Sequence, residues 1–154
     1  MTSNLSEKEE PWSLPVVFPV LAVLLSLVGF ADSVYLTVTS FTGEVVPCDL
    51  VTGCEKVLSS EYSEIFGIPI SALGAVAYFL AFSLSAFAYN QNKVAWNLFS
   101  VMTVGMAGFS VWLIYLQAFV IGAFCQFCLI SAGSSISLFL LASASVLFKK
   151  IKNS

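Results

Sequence analysis

Apolar residues gather into four long runs, at about 14–40, 69–89, 94–119 and 124–148, with polar stretches between them. Each run reaches the roughly 20 residues a helix needs to cross the hydrocarbon of a bilayer. Asp32 is the one charge inside the first run, and Pro15 and Pro19 sit near its start, where a helix tolerates proline best. Pro69 opens the second run, the polar turn Asn90-Gln91-Asn92-Lys93 closes it, and Gly122 separates the third from the fourth. The long polar stretch at 41–66 carries Glu44, Asp49, Glu55, Lys56, Glu61 and Glu64 with Pro47 and Gly53, which reads as an extramembrane loop. Within it, Val57, Leu58 and Tyr62 recur at near-helical spacing and predict a short amphipathic interfacial helix over 55–66.

The predicted fold class is therefore an all-α membrane protein, one four-transmembrane-helix bundle over 1–154 with a long loop between its first and second helices. Lysine placement orients it: Lys8, Lys93, Lys149, Lys150 and Lys152 fall on the side of the termini and only Lys56 on the other. The positive-inside rule then makes the termini cytoplasmic and the long loop extracytoplasmic. The leader over 1–12 is acidic rather than basic, so the first run reads as a retained span and not as a cleaved signal peptide.

Composition narrows the chemistry. The chain has 154 residues, is 58% hydrophobic and 10% charged, and has a mean hydropathy of +0.94, which puts it in a membrane and leaves no room for a soluble catalytic domain. Its net charge of -3 comes with no cluster of basic residues to neutralise phosphates, so no nucleic-acid partner is expected. There is no Arg and no His, which removes the commonest metal ligand and general base. The 4 cysteines remain as the strong nucleophiles.

Topology brings these cysteines to one membrane face. Cys48 and Cys54 lie in the first loop, and Cys125 and Cys128 open the fourth span after the short third connection. On the extracytoplasmic side disulfides form and persist. A C-x-x-C pair at a helix start brings two sulfurs together across one turn, and the helix N-terminus favours a thiolate there. The five residues between Cys48 and Cys54 include Gly53 and a polar turn, so a small exchangeable ring is possible, and thiolate attack through a mixed disulfide would let one pair pass electrons to the other. A closed zinc site and two purely structural disulfides are the competing readings of the same four residues.

Longer motifs decide between these readings. The Cys48 and Cys54 pair, the stretch Cys54-Glu55-Lys56-Val57-Leu58-Ser59-Ser60, the stretch Phe66-Gly67-Ile68-Pro69-Ile70-Ser71-Ala72-Leu73-Gly74, and Cys125-Gln126-Phe127-Cys128 together resemble the vitamin K epoxide reductase family, in its bacterial form. The resemblance runs from the first span to the fourth. It implies a membrane thiol:quinone oxidoreductase that reoxidises a thioredoxin-like partner in support of disulfide formation. The quinone would be of ubiquinone, menaquinone or vitamin K type, no metal would be needed, and the partner would be a separate protein because no thioredoxin-like segment follows the fourth span.

The same resemblance assigns roles. Cys128 looks like the sulfur that meets the quinone, Cys125 its exchange partner toward the loop, and Cys48 with Cys54 the shuttle pair. The expected order has the partner attack Cys54, which frees Cys48 to attack the Cys125–Cys128 disulfide. Ser60 matches a family Ser/Thr that supports the active site. Phe66, Tyr78, Trp112, Tyr115, Phe124 and Phe127 are candidates to line a quinone slot, with Phe124 the one named as a cofactor contact. Asp32 is a candidate proton relay for quinone reduction, against the alternative that it stays solvated near the interface. Small residues on span three (Gly105, Gly108, Ser110) and span four (Ser131, Gly133, Ser134, Ser135, Ser137) predict close helix packing. The bacterial plasma membrane is the expected location. The Lys150 and Lys152 tail resembles a retrieval signal and keeps a vitamin K epoxide or quinone reductase of the endoplasmic reticulum as the alternative.

Overall fold

A computed structural model describes residues 14–154, so the acidic leader and Lys8 fall outside the described residues. Helix α1 spans Val17–Thr42 rather than 14–40. It starts after Pro15 and takes Pro19 into its first turn, where a backbone N–H would have no intrahelical partner to lose. It ends at Gly43, whose φ of 68° supplies the left-handed cap and whose N–H donates to the Thr39 carbonyl.

The first loop differs from the expected single helix over 55–66. Helix α2 is only Cys54–Leu58, followed by a 3-10 turn at Glu61–Ser63 and two short antiparallel strands, β1 (Glu64–Ile65) and β2 (Ile68–Pro69). Two serines explain the early stop. The Ser59 hydroxyl joins its own N–H on the Glu55 carbonyl at 2.6 Å, and the Ser60 hydroxyl and N–H take the Val57 carbonyl at 2.7 and 3.3 Å, the acceptor that the Glu61 N–H would need for another turn. Phe66 and Gly67, with φ of 53° and 78°, form the two-residue turn that a tight hairpin requires between the paired Ile65 and Ile68.

Helix α3 (Ile70–Tyr89) leaves the hairpin directly. The Asn92 side chain caps helix α4 (Lys93–Tyr115) by accepting from the Val94 and Ala95 N–H groups at 3.0 and 3.3 Å. Helix α4 then widens into a π turn over Leu116–Ile121, closed by Gly122 at a φ of 67°. Helix α5 spans Gln126–Lys152 rather than 124–148, because Cys125 is extended and acts as its N-cap residue, while the lysine tail continues the helix and sets positive charge at its C-terminal end.

These elements make a four-helix bundle in which α1 packs on α3 and α5, and α4 packs on the same two helices from the other side. Four segments, Val17–Thr42, Ile70–Tyr89, Lys93–Ile121 and Gln126–Lys152, are long and apolar enough to cross a membrane, with mean hydropathy of 1.8 to 2.1. Large apolar side chains such as Val101 and Leu147 point outward, as a lipid-facing surface allows. Without a hydrophobic drive between helices in lipid, close approach has to come from small residues and hydrogen bonds. Ala22, Ser26, Gly29 and Ser33 supply that stripe on α1.

Tyr78 on α3 lies across the stripe. Its hydroxyl donates to the Ser131 carbonyl on α5 and shares a 2.6 Å hydrogen bond with Ser135. A Cβ at Gly29 would fall inside contact distance of the Tyr78 ring, so glycine is needed there for space. By contrast, a Cβ at Gly105, Gly108 or Gly133 would meet nothing within 4 Å, which corrects the expectation that those glycines close the bundle. Ser110, Ser134 and Ser135 are buried as expected. Gly29→Ala is expected to destabilise the bundle by about 1–3 kcal/mol, since the tethered Tyr78 ring has little room to move. Thermal unfolding in detergent measures the loss, and Gly105→Ala serves as the control that leaves the midpoint unchanged.

Candidate active site

The end of the bundle that carries the first loop also carries all 4 cysteines. Cys48 and Cys54 are joined in a disulfide with Cα atoms 6.2 Å apart, while Cys125 and Cys128 are free thiols. Cys54 is 1% exposed and packs in one apolar cluster with Val57 and Cys125. Cys48 is only partly buried. Of the two loop cysteines, Cys54 is thus the one packed beside Cys125, while the disulfide leaves Cys48 on the more exposed side.

Two contacts seat the loop. Gly53 rests on the connection before α5, where a Cβ would lie 2.9 Å from the Phe124 carbonyl oxygen and 3.1 Å from the Ala123 side chain. The Leu50 N–H donates to the Gln126 side-chain oxygen at 3.0 Å, so the residue after Cys125 holds the ring that contains Cys48 and Cys54.

Cys125 is fully buried at the start of α5. Its N–H, one of the donors a helix start leaves unpaired, donates to the buried Gln117 side-chain oxygen at 3.0 Å. Gln117 sits in the π turn, and its own carbonyl accepts from the Ala123 N–H at 3.1 Å, so a single residue fixes the approach to Cys125 from two sides. The Cys128 side chain, one turn on, hydrogen-bonds the Cys125 sulfur and pulls its pKa down to about 7, against burial and the Asp32 charge, which act the other way.

Cys128 faces elsewhere. It lines a cavity of about 570 Å³ enclosed by the four long helices and the first loop. The wall is largely apolar, with Leu36, Met102, Met106 and Leu113 among its residues, and Ser60 contributes from the loop. Cys125 is not in this wall. The two sulfurs of one C-x-x-C turn thus divide their surroundings, Cys125 toward the loop cysteine and Cys128 toward the cavity.

Of the six aromatic candidates only Tyr78 lines the cavity. Phe124 is 39% exposed and outside the wall, because the extended Ala123-Phe124-Cys125 connection turns it outward under Gly53. Phe66 is fully exposed at the hairpin tip, and Phe127 stacks on Tyr35 at 5.3 Å. Asp32 is half-buried beside the wall residue Ser33, with its Oδ2 buried and without a hydrogen-bond partner. Among the described residues, no group of three or more His, Cys, Asp or Glu could hold a metal ion. Sequence reasoning missed Gln117 and Gln126. Gln117 had a signal, since an amide inside an apolar span needs a partner.

The chemistry of Cys125 is open to titration. In Cys48→Ser/Cys54→Ser protein, ultraviolet thiolate absorbance is expected to rise with a midpoint near pH 7, the thiol being protonated below it and ionised above. Cys128→Ala on that background removes the main cause and moves the midpoint upward.

The vitamin K epoxide reductase family matches residues 20–143 of this chain. The chain is also 34% identical over 131 residues to the thiol-disulfide oxidoreductase LTO1 of Arabidopsis thaliana. That alignment covers 79% of this chain and 35% of the relative, so the chain spans about a third of the relative's length. Match and geometry meet on the same residues, from the body of α1 through the loop disulfide to the C-x-x-C turn and most of α5: the chain belongs to the vitamin K epoxide reductase family.

Proposed function

We propose that this protein is a membrane thiol:quinone oxidoreductase that reoxidises a thioredoxin-like partner on the extracytoplasmic side of a bacterial plasma membrane. One observation carries the reading: Cys125 packs with the loop cysteine Cys54 while its neighbour Cys128 lines an apolar cavity. An electron pair entering at the loop has one sulfur to meet and leaves from the other. The cavity volume falls within the range of small-molecule sites. Its apolar wall suits a quinone ring, and the family resemblance points to the same ligand. Lys93, Lys149, Lys150 and Lys152 at the opposite end of the bundle support a cytoplasmic orientation for that end.

The steps follow from burial. A partner thiolate attacks Cys48, the accessible sulfur, and the Cys48–Cys54 bond breaks to release Cys54 as a thiolate. The partner's second thiol then displaces Cys48, so the partner leaves as a disulfide and the loop holds two thiols. Cys54 attacks Cys125 of the oxidised Cys125–Cys128 pair and frees Cys128. Cys48 attacks Cys54, restores the loop disulfide and frees Cys125. The ordinary leaving-group rule favours this last step, because a thiol with a lowered pKa departs more easily. A quinone, when bound, accepts two electrons and two protons and leaves as the quinol. Cys125 and Cys128 return to the disulfide, and Ser60 on the wall and Asp32 behind it are the groups proposed to support the ligand and to move a proton.

A thioredoxin-like partner that lacks its second thiol is expected to attack the intact loop disulfide of Cys125→Ser/Cys128→Ser protein and accumulate a mixed disulfide with Cys48, whereas Cys48→Ser/Cys128→Ser protein forms a Cys54–Cys125 bond when a mild oxidant such as diamide is added. Peptide mapping without reductant identifies both, and capture of the partner through Cys54 instead would reverse the assignment. Purified wild type supplied with a reduced thioredoxin-like donor is expected to reduce a short-chain menaquinone, and Cys128→Ser to fall to background. Asp32→Asn should slow turnover about a hundredfold, the lower end for loss of a positioned acid or base. Full turnover in Asp32→Asn would remove the relay.

A further inference from the structure

Gln117 is 3% exposed inside the apolar Lys93–Ile121 span, where an amide that lacks partners is costly. Half of its capacity is accounted for. The Cys125 backbone N–H can only donate, so the atom it meets at 3.0 Å has to be the amide oxygen, which fixes the orientation of the amide. The NH2 group is thereby directed away from Cys125. It has no hydrogen-bond partner among the described residues, and it is not sealed among protein atoms. Gln117 lines the same cavity as Cys128.

Several hydroxyls in that wall are already committed, although those of Ser33, Ser71 and Ser110 are not. Ser60 donates to the Val57 carbonyl, Ser63 to the Ser60 carbonyl, and Tyr78 to the Ser131 carbonyl. Gln117 is different in keeping two N–H hydrogens unspent at the C-x-x-C end of an otherwise apolar chamber. An uncharged donor in such a place fits a neutral oxygen acceptor rather than a cation or a carboxylate. The π turn brings the residue there, as such local widening of a helix often does at functional sites.

We propose that the Gln117 Nε2 donates a hydrogen bond to the carbonyl oxygen of a quinone-class ligand beside Cys128, while its Oε1 holds the Cys125 N–H. This rests on the quinone reading above and adds a residue to it. As the dithiol becomes a disulfide and the quinone a quinol, charge develops on that oxygen, and a donor already in position stabilises it without reorganising. The same amide would tie the position of the reacting turn to the position of the ligand.

The test uses the full chain in detergent with a short-chain menaquinone, reading the infrared carbonyl band of the bound quinone and its Kd. Wild type should show a carbonyl band at lower frequency than the quinone in empty micelles. Gln117→Glu keeps an acceptor for the Cys125 N–H but loses the NH2. At alkaline pH it should lose the band shift and bind about tenfold more weakly, as expected for one hydrogen bond. Acidifying until the new carboxyl is protonated should restore both, because a carboxylic acid donates. Gln117→Met should lose the shift at every pH. A Gln117→Glu protein that keeps the wild-type band and affinity at alkaline pH, while Gln117→Glu/Cys48→Ser/Cys128→Ser protein still forms the Cys54–Cys125 bond under a mild oxidant, overturns the proposal. A wild type that neither binds the quinone nor shifts its band overturns the quinone reading itself, and this proposal with it.

Discussion

A helix that begins inside a membrane protein leaves its first backbone N–H groups without partners, and the arrangement of this site follows from how one of them is satisfied. The Cys125 N–H is taken by the side-chain oxygen of Gln117, a residue that the π turn at the end of α4 carries to within 3.0 Å. That bond fixes where α5 starts. With the start fixed, Cys125 stays outside the helix as its extended N-cap residue and packs with the loop, Cys128 in the first turn lines the cavity, and Gln126 between Cys125 and Phe127 holds Leu50. Chemistry at the two sulfurs is therefore set by main-chain geometry one helix away.

The rest of the bundle is built to support such a start. In lipid, helices gain nothing from hiding apolar surface, so the contacts that matter are close approach and hydrogen bonds between otherwise apolar helices. Gly29 lets the Tyr78 ring cross α1, and the Tyr78 hydroxyl reaches α5 one turn beyond Cys128. Trp96 does the same at the far end, donating from its indole N–H to Ser145 at 2.9 Å. Several serine and threonine hydroxyls along α1 and α5 return to carbonyls a turn earlier, as Ser40 does to Leu36 and Ser134 to Ile130, whereas the buried Ser26 hydroxyl on α1 does not.

Much of this was legible in the chain. Hydropathy located the four spans because a bilayer sets their length, and the turn residues Asn92 and Gly122 marked ends that the helices obey within a few residues, while the Gly43 cap emerged only from the structure. The grouping of Cys48, Cys54, Cys125 and Cys128 followed from counting crossings. What was not legible depended on contacts between segments far apart in sequence. Apolar spacing over 55–66 suggested one helix, but local Ser59 and Ser60 hydrogen bonds compete with it, and a hairpin needs only the Phe66-Gly67 turn. Which loop cysteine lies inward depends on the packing of the α2 residues Cys54 and Val57 against Cys125, which spacing does not encode. Aromatic residues are too frequent in a membrane chain for their identity to reveal which of them faces a cavity. Small residues mislead in the same way, since Gly105 and Gly133 meet open space whereas Gly29 meets a ring.

Gly53 carries a consequence of a different kind. The space beside it is filled by the Phe124 carbonyl, at 2.9 Å from where a side chain would begin. A methyl group there would act as a spacer between the loop and the helix, in a segment short enough to shift aside with little effect on the fold. Exchange between disulfides needs the attacking sulfur in line with the bond it breaks, and a displacement of about an ångström can cost a reaction roughly a hundredfold in rate. In the exchange proposed above, the missing side chain at position 53 would then govern a rate more than a stability, by setting how often two packed sulfurs are also aligned.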